Sequence, residues 1–464
     1  MKYVGVKTTG ELRLREAEKP QTDEIYMAVE DTKLGAVPIR PYEFVKWDGT
    51  KWVKVSDMQL VTTLDVSPGT SESNPLMNTE DVERMINAMK PISAMTLRFE
   101  FSKKDYSPVT AGVGSAGTWT KVDSPTLNIW DWTNENTNWH ESFKGAFPDE
   151  DNEVSVIAAG DTSNVTDISY LFAGVFTSTP ARSNYLLTSR NNIVSCVPFN
   201  VSNCTAADFC FCATCLKNVV KFQFNNLLTY TDDFDFLFAD SYVTKADIDF
   251  YGISAKTVGL FARCKKIKTA SLKGVENLTN IEAMFFKCNP ELKEIIINGE
   301  LTNAQGLQIL AQNSFHVEKI HIKAPNDNLN LQAVLNGCRS LTDLFFEVGK
   351  ASRVDYLFNG CYVLKEIPLI DTSICSNFQQ MMNYCESAET IPNYDVSNAT
   401  NVKQMCAYMF KAKYGIIEMY NKLLARGSAI TNHTDCFKNC GINTPEGRAA
   451  LAQIPASWGG TGAG

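Results

Sequence analysis

The residues best suited to chemistry are thiols. Cys204, Cys210, Cys212 and Cys215 crowd into twelve positions. Thiolates hold zinc when four nitrogen or sulfur donors meet, most often as two spaced pairs. Cys212 and Cys215 have the spacing of one pair, but no second Cys-x-x-Cys and no His-x-x-x-His stands at a zinc-module distance. Cys436 and Cys440 share one helical face by the same arithmetic. Both sets have a simpler reading as buried apolar groups, because a free thiol packs as a small hydrophobe. No metal or other cofactor is expected. Nucleophilic catalysis needs a base beside the nucleophile, and the chain has only four histidines, His140, His316, His321 and His433. His140 and His433 fall at or next to an inward-facing position of a repeat described below, so each is expected to be partly buried and satisfied. His321 alternates with Ile320 and Ile322 and is expected to face outward. Asp232-Asp233 and the run Asp149-Glu150-Asp151 read as solvated loop charges. No phosphate loop, no Gly-x-Gly-x-x-Gly after a strand and no Gly-x-Ser-x-Gly occurs, so no catalytic residue is assigned and the chain is not expected to be an enzyme.

The elements that carry these residues are repetitive. Leu260-Phe261-Ala262-Arg263-Cys264, Met284-Phe285-Phe286-Lys287-Cys288, Val334-Leu335-Asn336-Gly337-Cys338, Leu357-Phe358-Asn359-Gly360-Cys361 and Met381-Met382-Asn383-Tyr384-Cys385 are one pattern. Phe211 to Cys215 and Cys436 to Cys440 extend it, and Ser142 to Ala146 is a possible first copy. Anchors at Cys215, Ser241, Cys264, Cys288, Asn313, Cys338, Cys361, Cys385, Ala412 and Cys440 average 25 residues per interval. A fixed period of this length means stacked units whose apolar faces only neighbours can cover. Ahead of each anchor, apolar residues recur at −7, −4, −3 and 0, as in Val354, Leu357, Phe358 and Cys361. That spacing predicts about two turns of helix. Behind the anchor the period drops to two, as in Val317, Ile320 and Ile322, which predicts a short strand. Stacked anchor cysteines with parallel side chains are expected to stay free thiols.

This unit resembles the BspA-like leucine-rich repeat, which joins a Phe-x-x-Cys turn to a Leu-x-x-Ile strand. Asp161 to Gly174 carries the resemblance, as do the Asp-x-Ser entries at Asp371-Thr372-Ser373 and Asp395-Val396-Ser397. The resemblance covers residues 135–445 and implies an α/β solenoid of about 25 residues per repeat, used for adhesion and binding.

Around it, residues 1–60 read as a small, mainly β attachment module. Val45-Lys46-Trp47 and Trp52-Val53-Lys54 flank an Asp-Gly turn. Residues 61–93 read as a polar linker and a short helix with the stripe Val82, Met85, Ile86 and Met89. Residues 94–134 read as a β-rich lead-in, and 446–464 as a C-terminal cap and tail. Ser73-Asn74-Pro75 to Ile86 resembles a segment near the front of phage tail-fibre and related appendage proteins.

The 464 residues include 44% hydrophobic and 20% charged residues, with a net charge of −9. This excludes a disordered chain and a broad basic nucleic-acid surface. No run of about 18 apolar residues predicts membrane insertion. Charges interrupt the N-terminus before any apolar stretch forms, so no signal peptide is expected. Outward strand positions supply a candidate binding face: Lys221, Gln223, Thr269, Ser271, Glu294, Lys319, His321, Asp343, Phe345 and Glu366. The expected role is a phage virion structural protein, a head or tail fibre or decoration. It is made in the host cytoplasm, docks onto virion proteins by its N-terminal region and shows its repeats to a host surface protein or glycan. A dimer or trimer is expected, with the Val82 stripe around its axis. The alternative is a BspA-like adhesin on a bacterial cell surface.

Overall fold

The computed structural model describes residues 95–463 apart from 161, 178–186, 197–202, 217, 224–234, 251–255 and 289–290, together with strands within residues 2–54. Near the N-terminus, β1 (Lys2–Lys7) pairs in parallel with β2 (Glu24–Ala28). The pair β3 (Thr32–Leu34) and β4 (Val37–Ile39) forms a small hairpin. The sheet continues through β5 (Phe44–Trp47) and β6 (Trp52–Lys54), an antiparallel pair with Trp47 opposite Trp52. The linker, the Val82 stripe and the fibre-like residues 73–86 lie outside the described residues.

A five-stranded sheet closes the front of the repeats. It is built from β7 (Thr96–Phe101), β8 (Thr118–Val122), β9 (Asn128–Thr133), β10 (Val154–Ala158) and β13 (Ile193–Cys196), in the order β13-β10-β7-β9-β8. It draws strands from both sides of residue 135. Alternation along β7 turns Leu97, Phe99 and Phe101 into the core. A short pair, β11 (Val175–Phe176) and β12 (Leu187–Ser189), lies with β13 between Gly174 and the turn stretch that begins at Asp208.

The body is a solenoid. Its parallel ladder runs β14 (Asn218–Gln223), β15 (Lys245–Asp249), β16 (Thr269–Lys273), β17 (Glu294–Ile297), β18 (Lys319–Ala324) and β20 (Asp343–Val348). On another side, β19 (Leu329–Asn330) pairs with β21 (Ala351–Arg353). The ladder stops at β20 although the coils continue. The next two coils carry Ile367-Pro368 and Ile391-Pro392 at the strand position, and proline has no N–H to give a ladder. Helix α1 (Ile416–Leu424) packs its Ile416, Met419 and Leu423 stripe onto the end of the stack. Helix α2 (Pro445–Leu451) starts at a Thr444 cap that accepts the Gly447 N–H, and with Trp458 it covers the last coil.

The helical half of each repeat is a correction. The stretch before each anchor is a chain of turns, not an α-helix. In residues 378–385 the N–H groups divide alternately. Phe378, Gln380, Met382 and Tyr384 donate to carbonyls of the next coil, whereas Met381, Asn383 and Cys385 donate three residues back within their own coil. An α-helix would spend every N–H on itself. The turn chain spends half of them on its neighbour and so couples successive coils by backbone. Left-handed residues four apart permit this alternation, as at Gln380 and Tyr384, or Gln404 and Tyr408. The inward set is the one a helix would have: Val354, Leu357, Phe358 and Cys361 are all fully buried. Burial periodicity therefore matched a helix while the backbone did not.

Register also corrects three anchors. Thr214, Ser314 and Met409 hold the column positions assigned above to Cys215, Asn313 and Ala412. Ser314 makes the side-chain bond to a carbonyl of the preceding coil that is typical of the column, Thr214 stands three residues past Phe211 and bonds that carbonyl within its own coil, and Met409 lies three residues past Cys406, whose N–H joins the next coil. A second column carries amides. Asn359 Nδ2 donates to Asn336 Oδ1 and Asn383 Nδ2 to Asn359 Oδ1, each at 3.0 Å. Replacing Asn359 with leucine strands an acceptor below and a donor above. A loss of about 1–3 kcal/mol is expected in urea unfolding; a neutral result would mean that these amides carry no stability.

Candidate functional site

The column positions that sequence reading treated as bare hydrophobes do more. Cys264, Cys288 and Cys385 direct Sγ at the carbonyls of Phe238, Phe261 and Phe358 in the preceding coil, at 3.1, 3.1 and 3.2 Å. Cys338 and Cys361 reach Ala311 and Leu335 at 3.3 Å, and Ser314 Oγ reaches the Phe285 carbonyl at 2.6 Å. A thiol is small enough for the column and still donates weakly. No disulfide joins any of the fourteen cysteines. Burial pushes the Cys264 and Cys361 thiols up to about 12 from an ordinary 9.0, so both stay protonated in the fold. The stability this confers is complete below about pH 9, where the unfolded thiols are also protonated, and falls as pH rises toward 12. Iodoacetamide at about pH 8.5 is expected to spare Cys264, Cys288, Cys338, Cys361 and Cys385 until urea unfolds the chain. Stoichiometric alkylation of Cys361 in the native protein would contradict the column.

Among the described residues, no group of three His, Cys, Asp or Glu side chains converges to hold a metal ion. Cys204, Cys210 and Cys212 are buried and Cys215 is half-buried. His140 corrects its expected burial: its side chain is 44% exposed, beside Glu141 and Asp167. The reason is that it flanks the inward Trp139 and so points outward. His433 is half-buried, stacks on Trp458 at 4.2 Å and meets the Ser457 carbonyl through Nδ1. Asp149 pairs with Lys103 at the surface. Asp232 and Asp233 lie outside the described residues.

The strand face gathers most of the outward residues into two rows. Thr269, Glu294, Lys319 and Asp343 align in one, opposite each other strand by strand. Ser271, Ile296, His321 and Phe345 align in the other. Between the rows lie Ala270, Ile295 and Ile320, all buried, as alternation demands. Lys319 Nζ stands 3.6 Å from Asp343, and the flanking Lys323 bridges Glu300 at 2.7 Å and Glu347 at 3.4 Å. The His321 ring packs on Phe345 at 4.3 Å, leaving Phe345 43% exposed. Lys221 and Gln223 lie on β14, where the register slips between Val220 and Phe222; Gln223 aligns with Asp249. Glu366 departs from expectation. It is exposed but sits past the last ladder strand, in the stretch that Pro368 keeps unpaired.

Sequence reading missed the asparagines that open each turn chain. Asn377, Asn401 and Asn432 align across three coils, and the side-chain oxygen of each accepts the N–H two residues on. Their signal is an Asn eight residues ahead of the column position, also present as Asn280 and Asn330. The Asp371 and Asp395 entries accept the N–H of Ser373 and Ser397 alike; hydrogen bonds from the Ser373 side chain and N–H lower the Asp371 carboxyl pKa, and those from the Ser397 N–H and side chain lower that of Asp395.

Among the described residues, no helix is long and apolar enough to cross a membrane. No curated protein and no solved structure matches the chain. Residues 329–440, from β19 to the last anchor, match the family model described as "Mycoplasma protein of unknown function, DUF285".

Proposed function

We propose that this chain is a non-catalytic recognition protein of the BspA-like leucine-rich-repeat kind, carried on a bacterial cell surface. It presents its strand face to a protein or glycan of a host. The observation that carries this reading is the strand face itself. A continuous core supports two rows of outward side chains that mix charge, hydroxyl, imidazole and aromatic groups across four strands. Such breadth suits surface recognition, whereas a reaction site gathers few groups at one point. The match of residues 329–440 supports a surface protein of this kind. The family description names no activity, so it adds nothing about chemistry.

Antibody labelling and protease shaving of intact cells, with immunogold imaging of any virus particles they release, test the proposal. Labelling of the cell exterior is the expected result. Confinement to purified particles would replace the cell with a virion and make residues 1–60 the docking part. Confinement to the cytosol would overturn surface display altogether.

A further inference from the structure

Cations gather where the turn chains of three coils end, outside the strand face. The Arg190 guanidinium and the Lys266 ammonium each lie 4.4 Å from the centre of the Tyr242 ring. Arg190 also donates through Nη1 to the Asp240 carbonyl. Asp240, Arg263 and Lys287 take the same left-handed position in three successive coils, with φ of 56°, 59° and 52°. The N–H of Asp240 joins Ala262 and that of Arg263 joins Phe286, so the three stand in one column. Lys265 and Lys266 follow the thiol Cys264, and both are exposed, as is Lys287. The three coils span about 10 Å along the stack.

This charge is uncompensated. Along the neighbouring strands, Lys268, Lys319 and Lys323 each have a carboxylate in ion-pair distance. Arg263 has one as well: Asp240 accepts its Nε and Nη2 at 3.0 and 2.6 Å. Among the described residues, no carboxylate comes within ion-pair distance of Arg190, Lys265, Lys266 or Lys287. Like charges gathered in this way repel. The Tyr242 ring attracts both of its cations and offsets only part of that repulsion. The chain carries a net charge of −9, so the cluster opposes the sign of the whole.

We propose that this cluster binds a sulfated glycan. The open heads decide the class of anion. Arginine selects planar carboxylates through two parallel bonds. Both arginines are engaged, Arg263 by the Asp240 carboxylate and Arg190 by the Asp240 carbonyl and the Tyr242 ring. The three lysines remain, and an ammonium is a point charge that meets a tetrahedral sulfate from any side. An acidic protein segment would lack the paired contact that carboxylates favour. Single-stranded nucleic acid needs bare rings on which its bases stack. Tyr242 already carries two cations, and Phe286 is buried with Lys287 5.0 Å from its ring. A sulfated glycan needs neither feature, because it brings several fixed anions on a polar chain. The site is separate from the strand face and does not depend on what that face binds.

The test measures binding of the whole chain to immobilised heparin, neutral dextran, polyglutamate and single-stranded DNA. Binding to heparin and not to dextran is expected, falling as salt rises from about 0.15 M to about 0.5 M because exposed charges are screened. Lys265→Glu with Lys266→Glu reverses two open heads without touching the core and should weaken heparin binding at least roughly tenfold. Lys104→Glu with Lys411→Glu makes the same change of net charge at two exposed positions elsewhere and should leave it unchanged. No heparin binding at low salt, or equal weakening in the two double variants, overturns the site. Polyglutamate or DNA held as tightly as heparin overturns the sulfated class and turns the cluster over to an acidic protein or a nucleic acid.

Discussion

Phe261→Ala is expected to cost about 3–5 kcal/mol, the upper range for truncating a buried aromatic ring. Phe143, Phe172, Phe211, Phe238, Phe261 and Phe285 form one column with centroids 5.5 to 5.7 Å apart. Phe261 is fully buried in it and lies within 16° of parallel to both neighbours. Its removal loses the transferred area and two stacked pairs, each worth about 0.5–1.5 kcal/mol beyond area. The hole cannot close, because the backbones on either side are tied. The Phe238 N–H donates to Leu260 and the Phe261 N–H to Met284. In a solenoid each coil leans only on its neighbours, so the damage is also expected to split unfolding in two. Urea titration followed by hydrogen exchange should show the coils before and after residue 261 opening separately. Phe358→Leu supplies the comparison: Phe358 sits between Leu335 and Met382 in the same column and has one edge-on ring contact, to Phe346 at 6.1 Å, in place of two stacked ones. A Phe261→Ala cost below about 1.5 kcal/mol would mean that the column is not what holds the coils.

The same column explains which parts of the fold were legible in the sequence. Burial was legible because it has a period. Phe at −3 and Cys at 0 recur in phase, and every such cysteine from Cys264 to Cys385 is buried. Backbone conformation has no comparable signature. The set −7, −4, −3 and 0 satisfies a helix and a chain of turns equally, and what separates them is where each N–H goes. Hints existed in Gly337, Gly360 and Asn439 at the left-handed position. Tyr384, Tyr408 and Ala213 stand there as well, and none of these prefers it. The three misplaced anchors have one cause. Where Thr214, Ser314 or Met409 replaced cysteine, the nearest familiar residue drew the anchor away.

The outward face was legible for the same reason that strands are. Once Ile320 and Ile322 were inward, Lys319 and His321 had to be outward. Glu366 failed because its own strand does not form; Pro368, two residues on, was the available warning. The contact of Arg339 with Phe315 and Tyr362 was not legible at all, because its residues come from three successive coils and no single repeat contains it.

Asp131→Ala is expected to destabilise the front sheet by about 3–5 kcal/mol, for a reason unrelated to packing. Arg98 on β7 and Asp131 on β9 are direct cross-strand partners. They meet through two parallel bonds, Nε to Oδ1 at 2.6 Å and Nη2 to Oδ2 at 2.8 Å. Both are buried, at 2% and 7% exposure, although Arg98 stands on the face of β7 opposite Phe99. Each charge in such a pair is costly to desolvate, and the bidentate geometry offsets the cost only while both are present. Removing the carboxylate takes both of these bonds from a buried guanidinium that stays charged at any accessible pH. Asp131→Asn keeps one acceptor and should cost less. The double variant Arg98→Met with Asp131→Leu removes both charges and should recover most of the loss. Recovery would show that the single variant suffers from a stranded charge. A double variant as unstable as Asp131→Ala would show instead that the pair fixes the register of β7 against β9. Thermal unfolding followed by near-ultraviolet circular dichroism is the direct readout, since Trp130 and Trp132 flank Asp131 and report on this sheet.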